Sequence, residues 1–543
     1  MSTNISRIKR EQLASKIGAL RDYIARCPQD DNTANLLTYI SEIEKDIKGK
    51  KYGLVFEEHR ENIDEMLETH LPVLTEDESL FIDNGGQLNF LIEGDNLASL
   101  KLLEKTHAGK IDLIYIDPPY NTGNKDFVYD DAFVDTNDTF RHSKWISFME
   151  KRLNIAKNLL SNSGVIFISI DDHEQAQVKL MCDSIFGAEN FIAQVIWERA
   201  FAPVNLKKHF SESHDYVICY AKKITSAICN GLPRNNESDN RYSNPDNDPR
   251  GAWTSGDLSV GPVVKEKVYE ITTPSGRKVL PPSGYCWRLD KTTLEKYIKD
   301  NRIWFGEKGD NVPRIKRFLN EVKQGITPMT IWKYTEVGHS QDATKELKAV
   351  FDGEARFTYP KSVRLIQRIV GLYGDKNSTI LDFFAGSGTT GQAVMKLNAE
   401  DGGQRKFILC TNNENNICRD VTYERIRRVI DKEDYKASLK YFKVDYVPIS
   451  EQVYYEYADE LLAHVRELVE LENGVNFRGN SEIAIVLTDE ELNAFVRSDA
   501  VKECKTLYLG HDVAPDDEAI EALSCLGIKV NIIPEYYYSE TEE

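Results

Sequence analysis

Apolar residues recur at spacings of three and four through EQLASKIGALRDYIARC (residues 11–27) and again through TANLLTYISEIEKDI (33–47). That period puts them on one face and predicts a helical region over residues 1–80, with packing or dimer contact as its role. From about residue 88 the texture changes. Short apolar runs, LNFLIEG (88–94), IDLIYID (111–117) and GVIFISID (164–171), alternate with a helix-like stretch, WISFMEKRLNIAKNLL (145–160). Strands alternating with helices predict a parallel sheet with crossovers. A second block of this kind holds STILDFF (378–384), a helix over about 388–397 and RKFILCT (405–411). The two blocks are separated by about 150 residues rich in Pro, Gly, Asn and aromatics, with GLPRNNESDNRYSNPDNDPRGAW (231–253) as the most polar stretch. That texture predicts an inserted, loop-rich domain. Beyond 450, the helical DELLAHVRELVELE and the strand-like EIAIVLT, KTLYLG and KVNIIPEYYY predict a small separate α/β unit. The expected division is therefore 1–80, 81–194, an insert at 195–350, 351–448 and 449–543, with no internal repeat.

Composition narrows the function classes. The chain has 543 residues and a formal charge of −19, with 41% hydrophobic residues, enough for a large core. No apolar run approaches the ~18 residues that span a bilayer, and the opening MSTNISRIKREQL has no signal-like apolar stretch, so a cytoplasmic protein away from membranes is expected. Nine scattered cysteines without a CxxC spacing argue against both a metal site and a disulfide framework.

A charge of −19 speaks against a polyanionic partner until it is resolved by segment. Residues 191–350 carry 25 basic and 19 acidic side chains, a net of +6, whereas 450–543 carry 6 and 22, a net of −16. A basic middle and an acidic tail leave nucleic acid open as a partner, with the tail expected to repel it.

Two motifs carry chemistry. Asp117-Pro118-Pro119-Tyr120 directly follows the run IDLIYI. Consecutive prolines end a strand, because proline has no N–H for the ladder and restricts the residue before it. The resulting rigid turn offers a carboxylate, the Pro118 carbonyl and a phenol ring at the carboxyl end of a sheet, where open α/β folds bind ligands. Those groups suit a planar base with an exocyclic amine. Asp117 and the Pro118 carbonyl accept from the –NH2, Tyr120 stacks on the ring, and the amine's lone pair is localised for attack.

The second motif is Ile380-Leu381-Asp382-Phe383-Phe384-Ala385-Gly386-Ser387-Gly388-Thr389-Thr390-Gly391, a strand entering a glycine-rich turn and a helix. Its glycines alone also fit a dinucleotide fingerprint. No Gly-Lys-Ser/Thr follows, which disfavours a P-loop. The choice between nicotinamide and S-adenosylmethionine falls to the first motif, since a dehydrogenase has no use for a turn that grips an amine.

Together, Asp-Pro-Pro-Tyr followed by Asn121-Thr122-Gly123 and the downstream Asp-x-Phe-x-Gly-x-Gly resemble the amino-methylating DNA methyltransferases of the β arrangement. They are most similar to the Mod subunits of type III restriction–modification systems and their solitary relatives, over roughly residues 50–448. The resemblance implies a circularly permuted Rossmann-like α/β domain with a seven-stranded sheet, interrupted by a target-recognition insert. It implies S-adenosylmethionine as cofactor, and methyl transfer to N6 of adenine in duplex DNA. Cytosine N4 is the alternative within the class, and a non-catalytic DNA-binding subunit is the alternative outside it. Asp117, Pro118, Pro119 and Tyr120 would hold the base. Asp382, Phe384, Gly386, Gly388 and Thr389 would line the cofactor pocket, Asp95 would contact its adenine, and Glu414 (or Asn412 at the strand end) its ribose. Pro360-Lys361 matches the motif before the cofactor loop. Asp171 and Asp172 read equally as pocket border or helix cap.

The insert's Trp197-Glu198-Arg199, Lys207-Lys208-His209, Arg241, Arg250 and Arg314 to Arg317 are candidate DNA contacts. The resemblance further implies a homodimer and a separately encoded restriction (Res) subunit as partners.

Overall fold

The computed structural model describes residues 5–24, 26, 33, 36–41, 43, 59–123, 127–129, 132–134, 138, 140–234, 239–321, 325–449, 461–477, 480–533 and 537. Ten strands form its main sheet. They are β1 (His70–Glu76), β2 (Gln87–Glu93), β3 (Ile111–Ile116), β4 (Leu160–Ile170) and β5 (Phe191–Glu198). After these come β6 (His214–Ala221), β7 (Ile331–Trp332), β8 (Thr379–Asp382), β9 (Lys406–Thr411) and β10 (Ala437–Pro448). Their order across the sheet is β1-β10-β2-β9-β8-β3-β4-β6-β5-β7. The six strands from β10 to β4 are parallel, and β6 runs against its two neighbours. The inner strands are buried on both faces, which explains the unbroken apolar run of IDLIYI.

Helices cover both faces. One core joins the sheet to α2 (Asn96–His107) and α3 (Arg141–Leu159), the other to α4 (Val363–Tyr373), α5 (Thr389–Asp401) and α6 (Glu424–Glu433). α1 (Ile5–Ile24) matches the predicted first helix, while the second predicted helix is described only in part, with residues 36–41 helical. The chain leaves β3 through α3 toward β4 on one side, and leaves β8 through α5 toward β9 on the other. β3 and β8 are neighbours, so their carboxyl ends flank a crevice at the point where the winding reverses.

Three expectations are corrected. Residues 1–80 are not helical throughout, because β1 pairs antiparallel with β10 as an edge strand; an edge tolerates Pro72, and Val73 and Leu74 are buried there. The sheet has ten strands where seven were expected, with β10 and β1 added at one edge and the two-residue β7 at the other. The insert boundary at 195 is too early. β5 and β6 belong to the main sheet, because FIAQVIWE and HDYVICYA are rich in β-branched and aromatic residues that pair with each other and with β4.

The separate part of the insert lies between β6 and β7. It builds an antiparallel sheet from Trp253–Asp257, Ile303–Trp304 and Arg314–Phe318, with its own small core around Leu258, Trp287 and Leu294. Beyond 450, three parallel strands, Ile483–Val486, Thr506–Gly510 and Lys529–Ile533, form a second sheet. This region is not the separate unit expected, since Tyr508 and Ile533 of its sheet join the main core. Its helix α7 (Val465–Asn473) is buried against the main core, where Glu470 pairs with the buried Lys440 of β10 at 2.5 Å. Among the described residues eight cysteines are free, no cluster could hold a metal, and no helix is long and apolar enough to cross a membrane.

Candidate functional site

The Asp-Pro-Pro-Tyr turn leaves the carboxyl end of β3 and is braced from behind. The indole of Trp145, wholly buried in α3, donates to the Pro119 carbonyl at 2.7 Å. Asn121 closes the turn in a left-handed conformation, φ 57°, which asparagine tolerates better than most residues. Asp117 stays partly exposed at the crevice. Its Oδ1 lies 2.9 Å from Lys361 Nζ, an ion pair without good hydrogen-bond direction. The same ammonium donates to the Tyr120 hydroxyl at 2.6 Å and lies 4.7 Å from that ring's centre. Burial, then the nearby Asp117 charge, push the Tyr120 phenol well above its ordinary pKa, so it remains neutral.

The glycine-rich turn leaves the neighbouring β8. Gly386 and Gly388 have φ of 49° and 74°, and a Cβ on Gly388 would lie 3.3 Å from Thr422. Gly388 caps α5, whose first turn points unpaired N–H groups toward the crevice side of the sheet. Asp382 does not reach outward. Its Oδ1 accepts from the Phe384 amide at 3.0 Å and its Oδ2 from the Thr390 hydroxyl at 2.5 Å. Burial pushes its pKa up to about 7 against those hydrogen bonds. Asp382 therefore shapes the turn.

Arg425 of α6 fastens the turn from below. Its guanidinium is buried and donates to the Thr389 hydroxyl at 2.8 Å, the Ser387 hydroxyl at 3.0 Å and Gln392 Oε1 at 2.8 Å. Thr422 adds a hydrogen bond to the Gly386 carbonyl at 2.5 Å. Neither Arg425 nor Thr422 was identified in the sequence.

Comparison with known proteins bears on this pairing of motifs. The family model described as DNA methylase matches residues 111–422, more than half of the chain. The chain belongs to the DNA methylase family. It is 36% identical over 386 residues to the StyLTI Mod subunit of a type III restriction-modification enzyme from Salmonella typhimurium, covering 64% of this chain and 58% of that one. It is 30% identical to the EcoP15I Mod subunit from Escherichia coli, covering 60% and 58%. Type II methyltransferase M.KpnI from Klebsiella pneumoniae is 33% identical over 341 residues, covering 59% of this chain and 79% of that one. The chain thus spans a little under three fifths of the Mod subunits it matches.

The other predicted positions divide. Phe384 sits at the crevice between Phe383 and Phe148, half-buried, and Thr389 opens α5 almost fully buried. Asp95 caps α2, accepting from Leu97 N at 2.7 Å with Oδ1, while Oδ2 lies 3.7 Å from Arg152. Glu414 and Asn412 are both exposed beyond β9, and Asn413 between them accepts from the amides of Cys418 and Arg419. Neither Asp171 nor Asp172 caps the following helix, which starts at Gln175 without a side-chain cap; Asp171 accepts from His173 N at 2.9 Å within its own turn, and Asp172 accepts from the Tyr216 hydroxyl at 2.8 Å.

Several candidate DNA contacts are structural. Arg250 grips Asp248 at 2.9 Å, and Lys316 is buried against Asp246 and Asp248. Arg199 pairs with Asp215 at 2.6 Å, Trp197 is buried and donates to the Gly338 carbonyl at 2.9 Å, and Glu198 accepts from Tyr334 N at 3.2 Å. Lys207, Lys208, His209, Arg241, Arg314 and Arg317 remain exposed, Lys207 in a surface ion pair with Glu212 at 2.9 Å and Arg314 in one with Asp257 at 3.0 Å.

A buried carboxyl stands behind the Asp-Pro-Pro-Tyr turn. Glu174 Oε1 accepts from Asn121 Nδ2 and contacts His142 Nδ1, each at 2.6 Å. Burial pushes Glu174 up to about 8 and pulls His142 down, so both are neutral near pH 7. The folded carboxyl keeps its proton between pH 4.5 and about 8 while the unfolded one loses it. Stability therefore falls as pH rises through that window, by up to about 1.4 kcal/mol per pH unit. Glu174→Gln removes this slope, which urea titrations at pH 5, 6 and 7 will detect; an identical slope in the variant refutes the assignment.

Proposed function

We propose that this chain is a site-specific DNA methyltransferase that moves a methyl group from S-adenosylmethionine to N6 of adenine in duplex DNA. The observation that carries the reading is the adjacency of the amine-gripping turn on β3 and the glycine turn on β8, at the carboxyl ends of paired strands. The fold is read as a circularly permuted Rossmann-like domain, with the catalytic motif before the cofactor motif and a target-recognition domain inserted between them. The similarity to Mod subunits supports a place in a type III-like system, with a homodimer and a separate restriction subunit as the proposed assembly.

The residues fit the cofactor. Gly386 and Gly388 keep the turn's backbone open to close approach, and the α5 N-terminus suits a carboxylate. Bound S-adenosylmethionine supplies an electrophilic methyl on a sulfonium. The Asp117 carboxylate and Pro118 carbonyl accept from the two amine hydrogens of the extruded base, Tyr120 stacks on its ring, and the nitrogen lone pair is aimed at the methyl carbon. As the N–C bond formed, the methyl's bond to sulfur would break, leaving S-adenosylhomocysteine as a neutral thioether, and the surplus amine proton would leave along the hydrogen bond to Asp117 and pass to solvent.

Expression in a methylation-deficient bacterial host, followed by modification-sensitive genomic sequencing, is expected to show one short motif methylated at adenine. Modification at cytosine would shift the reading to N4. A soluble, cofactor-binding protein that leaves no motif modified would overturn it.

A further inference from the structure

The connection from β5 to β6, residues 199–213, carries the two most exposed large apolar side chains among the described residues, Leu206 at 95% and Phe210 at 88%. Its position is set by the sheet. β5 runs parallel to β4 through the intervening antiparallel β6, so this loop emerges at the same edge as the catalytic turn. Its root adjoins that turn. Arg199 pairs with the buried Asp215, whose electrostatic neighbours are Lys361 and Asp117, and the Trp197 ring lies 5.7 Å from Lys361 Nζ.

The loop is also held in shape. Ala200 N donates to the Ser213 carbonyl at 3.1 Å, Val204 N to Ser211 Oγ at 2.8 Å, and Phe201 stacks on His339 with centroids 5.4 Å apart. Such a pinned loop pays little ordering entropy on binding.

Exposing a leucine and a phenylalanine to water opposes the hydrophobic effect and marks a surface that another molecule covers. Lys207, Lys208 and His209 lie between the two apolar residues in sequence and are exposed as well, Lys207 in a solvent-facing ion pair with Glu212 at 2.9 Å. Apolar wedges flanked by cations are the chemistry of side chains that enter a base stack while neighbouring cations hold phosphates. Extruding a base leaves a gap in the duplex beside the enzyme's pocket.

We propose that Leu206 and Phe210 enter duplex DNA and fill the gap left by the extruded base, with Lys207 and Lys208 on the flanking phosphates. The inference rests on the methyltransferase reading above and adds how the chain opens the duplex.

The test uses the full chain, wild type against Leu206→Ser/Phe210→Ser, on duplexes containing the motif found by genomic sequencing. The target adenine is either paired with thymine or placed opposite an abasic site, which removes the cost of unpairing. A parallel duplex carries 2-aminopurine at the target. The double variant is expected to lose tenfold or more in methylation rate on the paired duplex and most of the 2-aminopurine fluorescence rise, yet stay within threefold of wild type opposite the abasic site. Equal losses on both duplexes, or no loss on either, would overturn the wedge. A wild-type dimer that the variant loses, with unchanged methylation of the paired duplex, would assign the surface to a second copy of the chain instead. No methyl transfer by the wild type to either duplex would sink the methyltransferase reading, and the wedge with it.

Discussion

Alanine at position 117 is expected to lower methyl transfer by at least about 10²–10³-fold while duplex affinity stays within about threefold. In the proposed mechanism the carboxylate acts on the amine that attacks, and phosphate contacts, which dominate affinity for DNA, do not pass through it. The loss has a geometric cause. The turn around Asp117 is held by Trp145 and by the Glu174–Asn121 contact, neither of which involves the Asp117 side chain, so the backbone survives the substitution. Lys361 keeps its hydrogen bond to Tyr120, and the Pro118 carbonyl keeps its place. The variant therefore removes one acceptor from an otherwise intact site. Asp117→Asn retains an acceptor oxygen without the charge and is expected to fall between wild type and alanine. Transfer of labelled methyl to oligonucleotides gives the rates, and fluorescence anisotropy gives the affinities. Alanine activity within tenfold of wild type would show that the carboxylate does not hold the amine.

How far the sequence could carry this reading depends on the distance between the residues concerned. Asp117 to Tyr120 are consecutive, and a double proline after an apolar run has few structural meanings. The turn was therefore legible before its neighbours were known. Lys361 lies far along the chain, and its presence between Asp117 and Tyr120 depends on β3 and β8 lying side by side, which no local pattern encodes. Arg425 is less visible still. It sits among arginines and glutamates on α6, in ERIRRVIDKE, where its neighbours Arg427 and Arg428 make surface ion pairs and only helical phase turns Arg425 inward. Asp382 was legible as a position but not as an action, because sequence does not say that both its oxygens face their own turn. The +6 of the middle segment was likewise a sound sum over unlike members. Arg250 and Lys316 are neutralised inside the insert by Asp246 and Asp248, while Lys208 faces solvent and Lys207 does so beside Glu212, its surface ion-pair partner at 2.9 Å.

Replacing Arg152 by methionine is expected to destabilise the chain by about 3–5 kcal/mol, because it strands a buried carboxylate. The guanidinium is wholly buried and holds Glu61 with both of its terminal nitrogens, at 2.8 and 3.0 Å, while Nε donates to Asn96 at 2.6 Å. Burial already pushes the Glu61 pKa up more strongly than Arg152 pulls it down, so the carboxylate has little reserve without its partner. Methionine fills much of the space but donates nothing. The double substitution Glu61→Gln/Arg152→Met removes the stranded charge together with its partner and is expected to recover most of the loss. Urea unfolding of Arg152→Met, Glu61→Gln and the double variant beside wild type at pH 7 separates these terms; Arg152→Met within about 1 kcal/mol of wild type would show that the pair is not needed. The same arginine also reaches toward Asp95 at 3.7 Å across the α2 cap. Asp95 is the proposed adenine contact of the cofactor, so the folded fraction of Arg152→Met should bind S-adenosylmethionine more weakly than wild type. The Glu61→Gln single variant, which keeps Arg152 in place, should bind it normally. That contrast separates the structural work of the arginine, done through Glu61, from its work on the cofactor pocket, done through Asp95.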